Sequence, residues 1–451
     1  MNQKEESSHN LKDEQQRLAI AGGAPVRTAP LPLEFPGIHH MDEEEIEAAN
    51  RVLRARSPFR YYGLHLCDEV SQFEKEFASH LGLPYAVAVS SGTGALHTAL
   101  AALGVGPGQE IIVPAYMWVS VVAAVVSLGA IPVLADIDDT FGIDSEKLAR
   151  RLTPRTRGIV AVHMSGAPIN IVPIAQFARE RGLFLLEDCA QANGASVRGS
   201  KVGTFGDMAV FSFQMNKNMT CGEGGCVVTR DLHLYRRVVA CHDLGYPRDE
   251  QGRLMFDHPD LCLWGGGYRL DELRGAILRV QLRKLPAIIE RMRSSKYRIR
   301  KALAALPGVK LRRIVDPAGD TGAFLITTYE GSKKAGEVNR ALRAEGIVTH
   351  AQGVSNILMA EWGLHLYYNI VSLVGKHSID KHGFPWNLAE NAGSEHRFDK
   401  GTCPVADSLF ERSIIMSIPS CLSLEDERDI TRAFTKVLNH YFAKAHLTTS
   451  V

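Results

Sequence analysis

Lys217 is the residue of this sequence whose position best suits covalent chemistry. It lies in a polar turn between two short apolar segments, MAVFSF (208–213) and CVVT (226–229), and the glycine-rich GEGG (222–225) follows it. If both segments are buried strands, the turn holds the lysine at the edge of a sheet, where partial desolvation favours its neutral amine. A neutral amine is the nucleophile that a Schiff base requires. Because most lysines are solvated surface charges, the assignment depends on which residues accompany Lys217.

A carboxylate at a second strand end is compatible with this chemistry. Asp188 lies near the end of the strongly apolar segment LFLLEDCAQ (183–191), where a carboxylate is costly unless it has a cationic or proton-donating partner. A protonated pyridine nitrogen is such a partner, and the pairing makes the ring an electron sink. Gln191 is then in reach of a hydroxyl group on the ring. The alternative is that Asp188 caps the next turn.

Small residues at a third strand end suit a phosphate group. The segment SSGTGALHTAL (90–100) is a turn that opens a helix. The backbone amides of Gly92, Thr93 and Gly94 at a helix N-terminus favour binding of an anion. An ordinary tight turn capped by Ser or Thr is the alternative.

An aromatic side chain beyond a fourth strand end suits a flat ring. The segment VPAYMWVS (113–120) carries two such side chains. Trp118 is the first choice for lying on a heteroaromatic ring, and Tyr116 is the second. Packing in the core is the alternative for both.

Alternating strands and helices position these residues. The predicted strands are almost continuously apolar, as strands covered on both faces must be. Strand–helix alternation at this spacing predicts a parallel, doubly wound α/β sheet, with functional residues at the carboxyl ends of the strands. Helices are predicted at 41–55 and 68–82, and the segment 144–152 is also expected to be helical. The predicted strands are 85–91, 110–115, 131–137, 157–166, 183–191, 208–213 and 226–229.

The pattern changes near residue 270 and predicts a second domain. The stretch 269–306 is a long helical segment, expected to break or bend at Pro286. We predict a mobile arm at 1–20, a large domain at 21–285 and a small α+β domain at 286–451 with an irregular insertion at 353–410. The elements predicted for the small domain are strands at 323–330 and 347–352 and helices at 334–346 and 423–442.

Composition narrows the class of protein. The 451 residues carry a net charge of +1 and are 45% hydrophobic, so nucleic acid and anionic membranes are not expected partners. There is no apolar run of membrane-helix length and no signal-peptide pattern. The cysteines lack CxxC spacing, which predicts a reduced cytoplasmic enzyme. His365, His377 and His382 lack metal-ligand spacing and are interpreted as surface or substrate-loop residues, so no metal is expected.

The ordered set SSGTGALH, VPAYMW, EDCAQ, GTFGDMAVFSFQMNKN and GEGG resembles the DegT/StrS-type sugar aminotransferases. These are pyridoxal-phosphate (PLP) enzymes of the aspartate-aminotransferase fold, PLP-dependent transferase fold type I, which work as homodimers. The resemblance runs from about Gly22 to the final helix. It therefore implies a large, mostly parallel sheet domain flanked by helices, followed by a smaller α+β domain. It implies a cofactor site formed by Gly92, Thr93, Trp118, Asp188, Gln191, Ser212 and Lys217.

The resemblance also implies a role for each of these residues. Lys217 is the Schiff-base lysine, and Asp188 pairs with the pyridinium nitrogen. Gln191 lies by the cofactor's O3′, and Trp118 stacks on the ring. The phosphate is held by the remaining three residues, Gly92, Thr93 and Ser212. The lysine argues against a branch of the family that carries histidine there and works as dehydratases.

One position departs from the family pattern. Members of the family usually carry Asn in a G-x-N-[YF]-R turn that reaches the partner subunit's cofactor phosphate. Here the turn reads WGGGYRLDEL (264–273), with Gly267 at the Asn position and Tyr268 and Arg269 flanking it. The departure implies either a substitute contact or weaker phosphate binding.

The expected reaction is transfer of an amino group from glutamate or glutamine to a keto or aldehyde sugar by a ping-pong mechanism. Looser likeness to the 8-amino-3,8-dideoxy-octulosonate transaminases suggests an acidic sugar acceptor. Arg60 is then a candidate for its carboxylate, and Tyr116 is a second substrate candidate. A structural arginine is the alternative for Arg60.

Two other functions remain open. Another PLP reaction on the same scaffold, a lyase or dehydratase, would use the same residues. A non-catalytic, PLP-bound regulatory protein is the other, although binding alone does not require a proton-shuttling Lys217. A nucleotide-binding protein is disfavoured because neither G-x-x-x-x-G-K-[ST] nor G-x-G-x-x-G occurs.

Overall fold

The computed structural model of the protein describes residues 17–249, 251–349 and 355–443. The strands are β1 (Tyr85–Val89), β2 (Glu110–Pro114), β3 (Ile131–Ala135), β4 (Thr156–Val162), β5 (Phe184–Asp188), β6 (Ser196–Val197), β7 (Ser200–Lys201), β8 (Met208–Ser212), β9 (Gly225–Thr229), β10 (Lys310–Leu311), β11 (Phe324–Thr328), β12 (Ile357–Leu358) and β13 (Ser413–Ser417). The α-helices are α1 (Glu43–Ala55), α2 (Glu69–Leu81), α3 (Gly92–Ala102), α4 (Ser120–Ser127), α5 (Ile171–Glu180), α6 (Leu232–His242), α7 (Glu272–Leu303), α8 (Ser332–Ala344), α9 (Val371–Val374), α10 (Pro404–Glu411) and α11 (Leu424–Phe442).

A seven-stranded sheet forms the large domain, in the order β1-β9-β8-β5-β4-β2-β3. Strands β8, β5, β4, β2 and β3 run parallel to one another, and β9 runs antiparallel to both β1 and β8. Six of the seven strands therefore share one direction, and their carboxyl ends lie at the same edge. This is the predicted doubly wound sheet, with one reversed strand where the chain turns back after Lys217.

Both faces of this sheet are buried, as its apolar strands predicted. In β4, Val160 packs into one apolar cluster, while Ile159 and Ala161 pack into another on the opposite face. Period-two alternation sends successive side chains to opposite faces, so helices must cover both. This burial keeps water from the sheet and leaves the strand ends as the accessible edge.

One helix connects the two domains. Helix α7 continues through Pro286, so of the predicted break or bend the break is wrong, and the bend stays a prediction. Pro286 is solvent-exposed, so the helix face is open to water where the proline removes a backbone hydrogen bond. Leu285 packs in the large-domain core and Ile299 in the small-domain core. The predicted domain boundary at 285/286 thus falls inside a continuous helix.

The small domain is a four-stranded antiparallel sheet, in the order β10-β11-β13-β12, with helices α8 and α11 in its core. The predicted strand at 347–352 is wrong over 347–349. Thr349 lies outside the named strands, in an isolated bridge with Leu31, and residues 350–352 lie outside the described residues. The strand that pairs at this edge is β12. The segment predicted as a helix at 144–152 forms a 3₁₀ helix, Ser145–Arg151.

Most of the predicted irregular insertion is described from residue 355 onward, and it packs against the large domain. Leu366 and Tyr367 belong to the same apolar cluster as strands β1, β2 and β4. Leu366 bridges Tyr116, and the Tyr367 hydroxyl donates a hydrogen bond to Asp407 Oδ1 at 2.9 Å. The segment 355–410, which we call the excursion, is therefore fixed beside the carboxyl edge of the large sheet.

The N-terminal region is described only from residue 17. Leu18 is buried in the small-domain core, and residues 1–16 of the predicted mobile arm lie outside the described residues. None of the helices in the described ranges is both long and apolar enough to span a membrane.

Candidate active site

The strand ends meet around one cavity of about 410 Å³. That size falls within the range of small-molecule sites, about 300–1,000 Å³. Its walls come from the turns after β1, β2, β4, β5 and β8, with one residue from the excursion. The lining residues are Ser91, Gly92, Thr93, Leu96, Trp118, Ser120, Val162, Met164, Asp188, Ala190, Gln191, Ser212, Gln214, Asn216, Lys217, Glu223 and His365. All seven residues of the predicted cofactor site are among them.

Lys217 lies in a turn that the backbone holds firmly. Its N–H donates to Gln214 O at 3.0 Å, and its carbonyl accepts from the Gly37 N–H at 3.2 Å. Desolvation by burial lowers the pKa of Lys217, although the carboxylates of Asp188 and Glu223 act in the opposite direction. The amine is therefore shifted toward its neutral, nucleophilic form, as the turn between two buried strands predicted.

Asp188 ends β5 and is only 4% exposed. Its Oδ1 accepts a hydrogen bond from the Ala190 N–H at 2.9 Å. Within the described ranges it has no ion pair within 4 Å. Burial raises the pKa of its carboxyl, while the Ala190 amide and Lys217 act to lower it. The site thus contains a buried acid that has no ion-pair partner within 4 Å among the described side chains.

Gln191 is oriented by a strained backbone. Its Oε1 accepts a hydrogen bond from the Ser165 N–H at 2.9 Å. Ser165 has a φ of +58°, which is uncommon for a residue with a side chain. The Tyr116 and Ser165 hydroxyls are 2.7 Å apart, and this bond helps to hold the strained residue. The amide group of Gln191 therefore has a fixed orientation in the cavity.

The N-terminus of α3 forms the anion-binding end of the cavity. The first N–H groups of a helix have no intrahelical acceptor, which leaves the amides of Gly92 and Thr93 for a ligand. The predicted third donor is not free, because the Ser91 hydroxyl accepts from the Gly94 N–H at 3.0 Å. A Cβ at Gly92 would lie 2.7 Å from the Ser212 Cβ. Glycine is required there so that the turn and the Ser212 hydroxyl share one wall.

Trp118, rather than Tyr116, supplies the aromatic face. Trp118 is 42% exposed and lines the cavity. Tyr116 is fully buried in the core, and burial raises the pKa of its hydroxyl. The substrate role considered for Tyr116 is therefore not supported.

Arg60 lies away from the cavity. Its Nη2 donates to both carboxylate oxygens of Glu74, at 2.9 and 2.8 Å, and its side chain is 9% exposed. The guanidinium is thus buried, its charge is paired with Glu74, and it lines neither the cavity nor its neighbour. The structural alternative for Arg60 fits the contacts, and the substrate role does not.

Several lining residues were not predicted from the sequence. The Ser120 hydroxyl lies 2.7 Å from the Thr93 hydroxyl and fixes that side chain. Glu223, within the GEGG segment, adds a second carboxylate. His365 comes from the excursion, where no local pattern marks it. Gly225, which does not line the cavity, belongs to the glycine-rich segment GEGG. A side chain is excluded at this position because a Cβ would lie 2.4 Å from Ser91 O.

His163, Glu187 and Cys189 form a buried group near the cavity, with one ligand-type atom from each within 4.8 Å of the others. His163 Nδ1 accepts from the Ile169 N–H at 3.2 Å. Its Nε2 must then carry the proton that faces Glu187 Oε2 at 3.1 Å. These contacts describe a hydrogen-bonded support behind β5.

Comparison with known proteins agrees with this geometry. The profile of the DegT/DnrJ/EryC1/StrS aminotransferase family matches residues 39–354. The chain belongs to this family. It is 32% identical over 443 residues to the L-glutamine:2-deoxy-scyllo-inosose aminotransferase of Streptomyces lividus, covering 94% of this chain and 98% of that one. It is 39% identical over 280 residues to the 3-amino-5-hydroxybenzoate synthase of Amycolatopsis mediterranei (strain S699), covering 61% of this chain and 69% of that one.

Solved structures show the same architecture. The crystal structure of a 3-amino-5-hydroxybenzoic acid synthase matches with a TM-score of 0.74 at 27% identity, covering 92% of this chain and 100% of that one. The protein therefore has the predicted fold type I of the aminotransferases, and it is an enzyme of the aminotransferase class.

The departure at Gly267 has a conformational basis that can be tested. Gly267 has a φ of +68°, and a Cβ added there meets no heavy atom within 4 Å. Asparagine tolerates this left-handed conformation better than other side chains, and β-branched residues tolerate it poorly. We expect Gly267→Asn to change the free energy of unfolding by less than about 1 kcal/mol and Gly267→Val to cost more. Urea denaturation checks this, and equal losses for the two variants would contradict it.

Proposed function

We propose that this member of the DegT/DnrJ/EryC1/StrS aminotransferase family is PLP-dependent and moves an amino group from glutamine or glutamate to a keto sugar or keto cyclitol. The observation that carries the proposal is the placement of Lys217 and Asp188 on one cavity, with a lowered and a raised pKa respectively. The donor is proposed from the L-glutamine aminotransferase named among its relatives. We also propose a cytoplasmic location, because all eight cysteines are free thiols, as is usual in reducing compartments.

The cavity fits pyridoxal phosphate. A pyridinium nitrogen would give Asp188 the close ion-pair partner that it lacks among the described side chains. The amides of Gly92 and Thr93, with the Ser212 hydroxyl, would hold the phosphate. Trp118 would cover the ring. When bound, the cofactor supplies an electron sink for the substrate carbon.

Lys217 would have two roles in this reaction, covalent attachment of the cofactor and proton transfer. Its Nζ would first bind the cofactor covalently, which needs a neutral amine. Once displaced by the donor amine, the same Nζ would take a proton from the donor Cα and return one in the opposite half-reaction. The amino group would stay in the site when the donor leaves as its keto acid, so donor and acceptor need not be bound together. Ping-pong kinetics is therefore the expected pattern.

The charges around the site favour a neutral acceptor. A second cavity shares Gln191, Asn216, Lys217 and His365 with the first and extends to Glu34, Asn218 and an apolar wall of Phe324 and Trp362. In the part of the chain that the structure describes, Lys217 is the one lysine or arginine lining either cavity. Carboxylates and amides suit the hydroxyl groups of a sugar or cyclitol. An acidic octulosonate-type sugar is the second candidate, and it would need a cation from outside these linings.

The function is tested by absorption spectroscopy on the purified protein loaded with PLP. We expect the band of lysine-bound PLP to give way to that of pyridoxamine phosphate on addition of L-glutamine or L-glutamate. 2-Deoxy-scyllo-inosose, the neutral probe, should then restore the first band faster than an acidic keto sugar. A stable lysine-bound band with both donors would point to lyase or dehydratase chemistry. No band with added PLP would favour loss of the cofactor site.

We further propose a homodimer, because large apolar side chains are exposed on two adjoining segments. Trp264 is 96%, Phe256 74% and Tyr62 71% exposed. The segments touch where the Arg248 guanidinium lies 3.9 Å from the Tyr61 ring centroid. Exposed apolar patches of this kind commonly mark protein interfaces.

The homodimer predicts a mutational effect. Trp264→Glu should raise the dimer dissociation constant by about 30-fold or more, the effect of losing a buried aromatic anchor. Light scattering across a concentration series measures it. Ile379→Glu is the matched control, because Ile379 is 99% exposed and belongs to a different segment, the excursion. A monomeric wild-type protein, or equal effects of the two substitutions, would contradict the proposal.

A further inference from the structure

His365 is placed in the active site by the excursion, and its backbone is anchored there. Its N–H donates to Trp362 O at 3.3 Å, and its carbonyl accepts from the Met117 N–H at 3.1 Å. The ring stacks on Trp362 with centroids 4.1 Å apart and contacts Trp118 at 4.7 Å. His365 lines both cavities. Of the two predictions for His365, a surface residue or a substrate-loop residue, its position in the lining agrees with the second.

The hydrogen bonds of the ring define its tautomer. Nδ1 lies 3.0 Å from Trp362 O, and a carbonyl oxygen can only accept, so Nδ1 carries the proton. Nε2 is then an acceptor, and it lies 3.4 Å from Gln191 Nε2. Burial, together with the nearby Lys217, lowers the pKa of His365 to about 4. The imidazole is therefore neutral near pH 7, with its lone pair directed at the Gln191 amide.

Gln191 is consequently held at both ends. Ser165 N–H occupies its Oε1, and His365 Nε2 accepts one of its two Nε2 protons. The second Nε2 proton is left for a group in the cavity. The amide therefore presents a donor there, while its oxygen is turned toward the strained Ser165.

We propose that His365 is a positioning residue that fixes Gln191 as a hydrogen-bond donor toward the ring oxygen of the bound cofactor. The inference rests on the proposed function, since it concerns the PLP in that cavity. The physical reason is that the hydrogen bond from Gln191 Nε2 to the unprotonated Nε2 of His365 prevents the side-chain amide of Gln191 from rotating. Without that acceptor, the donor to the ring oxygen would be lost for part of the time, and the electronic state of the cofactor would change.

The test compares variants by the absorption spectrum of the PLP-loaded protein and by kinetics. His365→Phe keeps a planar ring without an acceptor, and His365→Gln offers an amide oxygen at a similar reach to Nε2. We expect His365→Phe to shift the absorption maximum and the pH midpoint of the lysine-bound PLP band. It should also lower kcat by roughly 10- to 100-fold with a smaller change in KM, the scale of a misplaced catalytic contact. His365→Gln should restore the spectrum and most of kcat.

A double-mutant comparison shows whether His365 acts through Gln191 or has a separate role. Gln191→Ala should produce the same spectral shift, and the double variant His365→Phe/Gln191→Ala should be no worse than the more affected single variant. His382→Gln, an exposed histidine of the excursion, is the matched control and should leave the spectrum unchanged. If His365→Phe does not fold, His365→Asn, which is too short to replace Nε2, provides the same test.

The outcomes separate this inference from the proposed function. A wild-type spectrum and kcat in His365→Phe or His365→Asn would overturn the positioning role. Multiplying effects in the double variant would also overturn it. Absence of a lysine-bound PLP band in the wild-type protein would instead overturn the proposed function.

Discussion

Replacing Lys217 with alanine should lower kcat by about 10⁴-fold or more while leaving the fold intact. The side chain ends in the cavity, and its backbone hydrogen bonds to Gln214 and Gly37 do not depend on its identity. Removal of the amine eliminates both the covalent attachment of PLP and the proton transfer at the donor Cα. The purified variant should bind PLP without forming the lysine-bound absorption band.

Lys217→Arg is the matched variant for this experiment. Arginine keeps the positive charge and much of the length but does not become neutral in proteins. If the neutral amine is what matters, the arginine variant should be as inactive as the alanine variant. Turnover within tenfold of the wild type in either would exclude Lys217 as the catalytic lysine. Melting temperatures of the cofactor-free proteins show whether the fold is retained.

Asp188→Asn is expected to change activity and stability in opposite directions. With PLP bound, loss of the carboxylate removes the partner of the pyridinium nitrogen. We expect kcat to fall by about 10²- to 10³-fold, the scale of breaking a buried ion pair. Asp188→Glu, which keeps the charge, should retain more activity than Asp188→Asn. Equal kcat for the asparagine variant and the wild type would contradict this role.

Without PLP, the same substitution should stabilise the protein at neutral and higher pH. Burial raises the folded-state pKa of Asp188 above the ordinary 3.8. The folded protein then binds this proton more tightly than the unfolded chain, so ionisation costs stability as the pH rises through the raised pKa. Asparagine carries no such cost. Urea denaturation of the cofactor-free proteins should show Asp188→Asn as the more stable at pH 8, with the difference lost below pH 3.8.

Local patterns predicted the parts of the site that lie at strand ends. Lys217, Asp188 and Ser212 follow or end apolar strands, and Gly92 and Thr93 open a helix. Parallel strands bring their carboxyl ends together without further information. For this reason seven residues far apart in the chain could be assigned to one site, with roles taken from a family resemblance. The structure places all seven on one cavity.

Local patterns gave wrong predictions where the structure depends on contacts between segments that are far apart in sequence. Arg60 was considered as a partner for a substrate carboxylate, but it binds the carboxylate of Glu74 on α2 instead. Pro286 looked like a break, but packing of α7 against both cores holds the helix together. In each case an interaction between distant segments outweighed the local preference.

Local sequence patterns were sufficient to predict the alternation of strands and helices, and hence the sheet edge that carries Lys217 and Asp188. That information is local, because burial on both faces requires an apolar strand and a turn must follow it. Only the tertiary structure decided that Trp118 rather than Tyr116 faces the cavity and that His365 reaches Gln191. These choices depend on how the excursion packs across the edge of the large domain. Packing between segments far apart in sequence leaves no periodic pattern in either of them.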